Sequence, residues 1–181
     1  MNRQAEYDKY VMAYSHPNYR MGTARMKMSL SALEGVGSRG SYLDVGTGRG
    51  EMLTHALNMG FSSATGTEVI AELLSDDIIE AAAHDLPFDD AFFDVVSCLD
   101  VLEHLLPEDT EAALTELARV AKHDLILSAA NYHSKSMGVE LHVNRRPYEE
   151  WDTLIQSICG GNVTWLPRQD GCLSEYWHVE F

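Results

Sequence analysis

The stretch YLDVGTGRGEML, residues 42–53, decides the fold. Worked outward from its glycines, it is a strand, a tight turn and the opening of a helix. Gly46, Gly48 and Gly50 let the backbone turn sharply and come close to a ligand. Residues 49–59 then predict a helix, with Met52, Leu53, Ala56, Leu57 and Met59 along one side and Gly60 as its stop signal. A helix that starts there aims its first N–H groups at whatever the turn holds. An acid flanks the glycines on either side, Asp44 before them and Glu51 after them.

The rest of the chain continues the alternation of strand and helix. Helices are predicted at 3–14 and 22–35, with SHPNY as the break between them. Strands follow at 41–46, 64–69, 78–83, 92–101 and 124–130, and then in NVTWLPR and SEYWHVEF. A helix at 107–121 opens at Pro107 with acids in its first turn, and one at 147–159 opens at a proline and stops at glycines. Only IAELLSDD separates the second strand from the third, enough for a turn or two of helix. Five strands in a β-α-β rhythm predict a parallel sheet with helices on its faces, and the short final loop predicts an antiparallel hairpin. The expected fold class is α/β: a doubly wound, mostly parallel seven-stranded sheet with a C-terminal antiparallel hairpin. We expect one domain, in which helices at 1–38 cover the site, 40–131 binds the cofactor, and 132–181 supplies a substrate-side loop, a helix and the hairpin.

Charge narrows what the glycine turn can hold. Dinucleotide-binding turns favour G-x-G-x-x-G. Here the pattern is G-x-G-x-G, and Glu51 stands where the third glycine would be. A carboxylate at that helix start opposes a pyrophosphate. S-adenosylmethionine has no phosphate; it carries an ammonium and a sulfonium, and Asp44 can attract the ammonium. Later features agree. Glu68 ends the second strand, where a carboxylate can accept ribose hydroxyls. Asp85 follows the third strand, where it can take an adenine amino group while the Leu86 N–H faces the ring. The fourth strand runs into CLDVLEHL, which places Asp100, Glu103 and His104 at the carboxyl end of the sheet, where open α/β sheets bind ligands.

Composition sets outer limits. The chain has 181 residues and a formal net charge of −15. So acidic a surface disfavours nucleic acid and anionic lipid. No run is apolar enough to span a membrane, and MNRQAEYDKYVMAY has no apolar signal core, so a cytoplasmic location is expected. Cys98, Cys159 and Cys172 have no metal-ligand spacing, and the eight histidines include no His-x-x-x-His, so no metal is expected.

Taken together, YLDVGTGRGEML, GTEV, AAHDLPFDDAFFDVVSCLDVLEHL and ELARVAKHDLILSAAN resemble a class I, Rossmann-like S-adenosylmethionine-dependent methyltransferase over roughly residues 40–131. The nearest type is that of the ubiquinone and menaquinone biosynthesis methyltransferases, and the tail from Leu141 is similar to that type's last helix and hairpin. The resemblance implies a fold, a cofactor (S-adenosyl-L-methionine, leaving S-adenosyl-L-homocysteine) and a set of roles. Asp44, Gly46, Thr47, Gly48 and Gly50 would surround the methionine part. Glu68 would hold the ribose, with Val69 and Ile70 flanking the adenine and Asp85 and Leu86 reading its edge. Leu99 and Asp100 would lie near the sulfonium. Two departures stand out: the helix between strands two and three is short, and no insertion after strand five is long enough to be a lid.

Methyl transfer needs alignment, exclusion of water and, for some acceptors, a base. His104 is the first candidate base, and His133 and His142 lie in the segment over the mouth of the site. Tyr7, Tyr10 and Tyr14 share one helical face, and with Tyr19 they could cover the cofactor or touch substrate. Arg20, with Arg145 and Arg146, could bind an acidic substrate group. The expected partner is a small-molecule acceptor, and the expected assembly a monomer or homodimer. Other readings are a protein or nucleic-acid acceptor, a non-catalytic S-adenosylmethionine-binding protein, and an NAD-dependent oxidoreductase.

Overall fold

Alternation along each central strand builds two cores, one on either face of a single sheet. The computed structural model describes residues 3–17, 19–136 and 138–181; of the break predicted at 15–19, Asn18 lies outside the described residues. The helices are α1 (Arg3–Tyr14), α2 (Thr23–Glu34), α3 (Glu51–Asn58), α4 (Thr110–Val120) and α5 (Tyr148–Cys159). The main sheet contains β1 (Ser41–Val45), β2 (Ser63–Glu68), β3 (Ile78–Glu80), β4 (Phe93–Cys98), β5 (Ala121–Ala129), β8 (Asn162–Leu166) and β9 (Glu175–Glu180). Between β5 and α5, β6 (Lys135–Ser136) and β7 (Val139–Glu140) form a separate small hairpin.

The strand order is β3-β2-β1-β4-β5-β9-β8. The first five strands are parallel, and β9 runs antiparallel to both β5 and β8. The reversed strand β9 is inserted between β5 and the edge strand β8, which gives the expected mostly parallel sheet with its terminal antiparallel hairpin. Strand order changes direction between β1 and β4, so their carboxyl ends open a crevice.

Leu43, Val45, Val96, Cys98, Leu125, Leu127, Trp177 and Val179 point to the face that α4 and α5 cover. Tyr42, Val95, Ile126 and Tyr176 point the other way, toward Met28 and Leu33 of α2 and Met52 and Ala56 of α3. Asp44, Ser97 and Ser128 share this second parity and are buried polar groups on the site side of the sheet. All three cysteines are buried and free.

Three details differ from expectation. β3 stops at Glu80 instead of residue 83, because its only neighbour, β2, ends at the paired Glu68 and leaves no ladder beyond. The crossover before it shrinks to a 3₁₀ turn at Ala71–Leu73. The β6–β7 hairpin was not foreseen, since Lys135–Ser136 and Val139–Glu140 show no apolar alternation. Among the described residues, no helix is long and apolar enough to cross a membrane.

Candidate active site

A cavity of about 420 Å³ opens at the carboxyl ends of β1, β2 and β4, within the size range of small-ligand pockets. Its floor is the glycine turn. Gly46 and Gly48 have φ of +72° and +58°, a left-handed backbone that side chains resist. A Cβ on Gly46 would lie 2.5 Å from Val101 Cγ2, and one on Gly48 would lie 2.5 Å from the Tyr14 hydroxyl. The roof is α1, which brings Tyr7, Tyr10 and Tyr14 over the cavity, with Tyr19 beside them. Arg49 ties roof to floor: its Nη2 donates to the Tyr14 carbonyl at 2.8 Å, and its guanidinium lies over the Tyr14 ring.

Asp44 and Glu68, the acids expected at the ammonium and the ribose, are both buried at the floor, and Glu51 is half-buried on the cavity wall. Asp44 accepts a 2.5 Å hydrogen bond from Ser97 Oγ, which in turn takes one from the Tyr42 hydroxyl at 2.6 Å. Burial pushes the Asp44 carboxyl up to about 6, against the pull of the Ser97 hydroxyl. Glu68 is more occupied than expected. Its Oε2 accepts the Gly48 N–H at 2.9 Å, and its Oε1 accepts the N–H groups of Val69 and Ile70 at 2.8 and 3.3 Å. Burial still raises its pKa, although these three donors oppose the rise. Glu68 thus braces the turn, and a ribose would share an oxygen that already has backbone donors. Thr47 lines the cavity, and its buried hydroxyl helps the Ser97 hydroxyl hold the Asp44 carboxyl down against burial.

The adenine-edge residues sit elsewhere. Leu86 donates its N–H to Glu116 Oε2 at 2.9 Å and is absent from the cavity wall. Asp85 is exposed in a neighbouring shallow groove with Glu80 and Pro87. The groove adjoins the cavity through Val69, Ala81, Ala82 and His84, which line both. Val69 lines it, Ile70 is buried beneath, and Gly50 caps α3 outside the wall.

The other wall carries the candidate chemistry. Leu99 and Asp100 follow directly after β4 and line the cavity. Asp100 has φ +55° and is fixed twice, by Ser128 Oγ (which accepts its N–H at 2.8 Å) and by Arg25 Nη1 at 2.9 Å from its Oδ2. Sequence inspection missed Arg25, because nothing in α2 marks it as the partner of a residue 75 positions away. His104 and His142 line the cavity with ring centroids 4.7 Å apart, and Tyr10 OH is 2.6 Å from His104 Nδ1. Burial and the mutual proximity of the two rings hold the His104 imidazole well below its ordinary value, and burial also lowers His142, so both are neutral at pH 7. His133 is exposed, 2.6 Å from Glu140 Oε2 and 2.9 Å from Arg145 Nη1, and is not part of the wall. Arg20 is exposed at the rim. Arg145 and Arg146 lie outside the wall; Arg146 stacks over the Trp151 ring.

Residues 43–128 match the family model described as a methyltransferase domain. Over those residues the chain carries a methyltransferase domain. No curated protein sequence matches it. Solved structures resemble this chain along nearly its whole length. One is the Burkholderia thailandensis 1,6-didemethyltoxoflavin-N1-methyltransferase with bound 1,6-didemethyltoxoflavin and S-adenosylhomocysteine (TM-score 0.70, 17% identity, covering 98% of this chain and 88% of that one). Another is a chain of the complex between the Haloferax volcanii Trm112 methyltransferase activator and a methyltransferase (TM-score 0.67, 16% identity, covering 99% and 97%). A third is a protein of Pyrococcus horikoshii OT3 (TM-score 0.68, 16% identity, covering 86% and 90%). At these identities the likeness is one of fold. The floor fits the cofactor on its own terms: a glycine cradle and two buried carboxylates suit a ligand that comes close to the backbone and carries positive charge.

Proposed function

We propose that this chain is an S-adenosylmethionine-dependent methyltransferase that acts on a small molecule in the cytoplasm. The observation that carries this reading is the cavity itself, roofed by the tyrosines of α1 and walled on one side by His104 and His142. A roof of this kind admits a small acceptor and excludes water, and the net charge of −15 weighs against a polyanionic acceptor. The related fold that holds 1,6-didemethyltoxoflavin supports the same class of acceptor.

Asp44, Gly46, Thr47, Gly48 and Leu99 would hold the amino-acid part of the cofactor, Glu68 its ribose, and Val69 with Ala81–His84 its base. The cofactor supplies a methyl carbon on a good leaving group. The chain's own task is then to align an acceptor and keep the site dry. Tyr10 and Tyr14 cover the acceptor, Asp100 is held by Arg25 at the end of β4, and residues 132–147 close the far side. We read the chain as one unit in which 1–38 covers the site, 40–131 binds the cofactor and 132–181 completes the acceptor side.

Calorimetric titration with S-adenosylhomocysteine, with NAD⁺ as the comparison, tests the reading. Wild type should bind the first and not the second. Glu68→Ala removes a charged acceptor from three N–H groups and should weaken binding by about 10–100-fold. A folded sample that does not bind S-adenosylhomocysteine would overturn the proposal.

A further inference from the structure

We propose that Glu103, His104 and His142 form a binding site for a divalent transition-metal ion on the acceptor side of the cavity. The inference goes beyond methyl transfer and stands on the cluster itself. One ligand atom from each residue lies within 4.8 Å of the others. Two imidazoles and one carboxylate are a donor set suited to Zn²⁺, Co²⁺ or Fe²⁺, with coordination positions left over.

Glu103 is the observation that points to a ligand. It is fully buried, no side chain bonds either carboxylate oxygen, and only its own N–H and that of Ala130 approach them. Its Oε1 is 4.0 Å from His142 Nε2, too far for a hydrogen bond. The nearby cation Arg25 is engaged by Asp100 at 2.9 Å. Burial pushes its carboxyl well up, two backbone N–H groups only partly oppose this, and an ion between it and the imidazoles offsets the cost of ionising it.

The histidines are prepared as ligands. His142 Nδ1 lies 2.8 Å from the Tyr132 carbonyl oxygen, so Nδ1–H donates there and the lone pair rests on Nε2, toward Glu103. His104 Nδ1 faces the Tyr10 hydroxyl and the Leu141 carbonyl at 2.6 and 3.2 Å. Because the Tyr10 hydroxyl itself donates to Leu141 at 2.8 Å, the Nδ1 of His104 carries the proton and its Nε2 is bare. Oxygen acceptors behind the second ring nitrogen are the usual support of a metal-bound histidine. The two segments are also clamped together. Asn144 N–H donates to the Glu103 carbonyl at 3.0 Å, and its Nδ2 donates to the Leu102 carbonyl and Thr110 Oγ1 at 3.0 and 2.8 Å. This holds the segment carrying His142 against the turn carrying Glu103 and His104 without using any of the three ligand groups. Both histidines line the cavity, which provides a path for the ion and leaves its open positions facing the acceptor.

The test is titration of the whole protein with Co²⁺, followed by calorimetry and by its visible d–d absorption, on wild type, Glu103→Gln and His142→Asn. S-adenosylhomocysteine binding and thermal melting are measured alongside. One-to-one Co²⁺ binding by wild type, weakened about a hundredfold or more in each variant that melts normally, supports the site. Wild type that binds S-adenosylhomocysteine but no Co²⁺, or variants that bind Co²⁺ as wild type does, would overturn it. If Glu103→Gln does not fold, His142→Asn decides. If Co²⁺ binds and S-adenosylhomocysteine does not, the metal site stands and the methyltransferase reading falls.

Discussion

Asp44 shows how much one residue's surroundings decide. Its carboxyl is an ordinary acid in the unfolded chain at 3.8, and burial raises it to about 6 in the folded one. The folded state therefore holds a proton more tightly between these values. That contribution to stability is present at low pH and is lost as pH rises toward 6, amounting to about 3 kcal/mol. Ligand-free enzyme should lose stability across that window, and Asp44→Asn should flatten the change, as read by denaturant melts at stepped pH. Cofactor binding should follow the opposite sign, because a cationic ligand needs the ionised acid. Affinity for S-adenosylhomocysteine should fall about tenfold as pH drops from neutral to one unit below 6. Gly48 is a second residue with a narrow allowance. Gly48→Ala carries a left-handed φ cost of about 1 kcal/mol and pushes on the Tyr14 hydroxyl. Adding Tyr14→Phe removes the 2.5 Å overlap but not the φ cost, so the double variant should recover cofactor affinity in part and stability incompletely.

At the scale of elements, α1 differs from the rest. It buries only Glu6 and Ala13 among its described side chains, so packing does not hold it down. What holds it are named contacts: Arg49 to the Tyr14 carbonyl, the Tyr10 hydroxyl to the Leu141 carbonyl, and the ring contacts of Tyr10 with His104. Arg49→Ala should speed amide exchange across α1 by about tenfold and leave exchange in β4 and β5 unchanged, since elements of low contact open locally. Melting temperature should hardly move. The opposite case is α3, whose left-handed Gly50 cap and the apolar stripe of its eight residues are contiguous in the chain. Its position was readable from residues 42–60 because strand, turn and helix are contiguous there. β3 was misjudged by three residues because its length is set by its neighbour's end, not by its own alternation. Beyond that end, Ala81–His84 line the cavity and Asp85 lies in the groove that adjoins it.

Over the whole molecule, the sheet's centre and edge carry different loads. Trp177 on β9 is fully buried and donates its Nε1–H to Asp152 Oδ1 at 3.0 Å, which joins the reversed strand to α5. Trp165 on the edge strand β8 is 38% exposed. Trp177→Ala should cost about 3–5 kcal/mol and Trp165→Ala about 1 kcal/mol or less in denaturant unfolding. Equal losses would mean that the edge is covered by something beyond this chain.

By itself the sequence determined the order and kind of the elements, the parallel sheet with its terminal hairpin, and the glycine turn with Asp44 and Glu68 beside it. These follow from local periodicity, turn chemistry and residues that lie next to one another in the chain. Only the tertiary structure decided the second wall of the site. Tyr10 meets His104 across 94 positions, Arg25 meets Asp100 across 75, and Glu103 meets His142 through the Asn144 clamp. Those meetings depend on how α1, α2 and the segment after β5 settle on the sheet. The packing of distant surfaces fixes that, and no spacing along the chain records it.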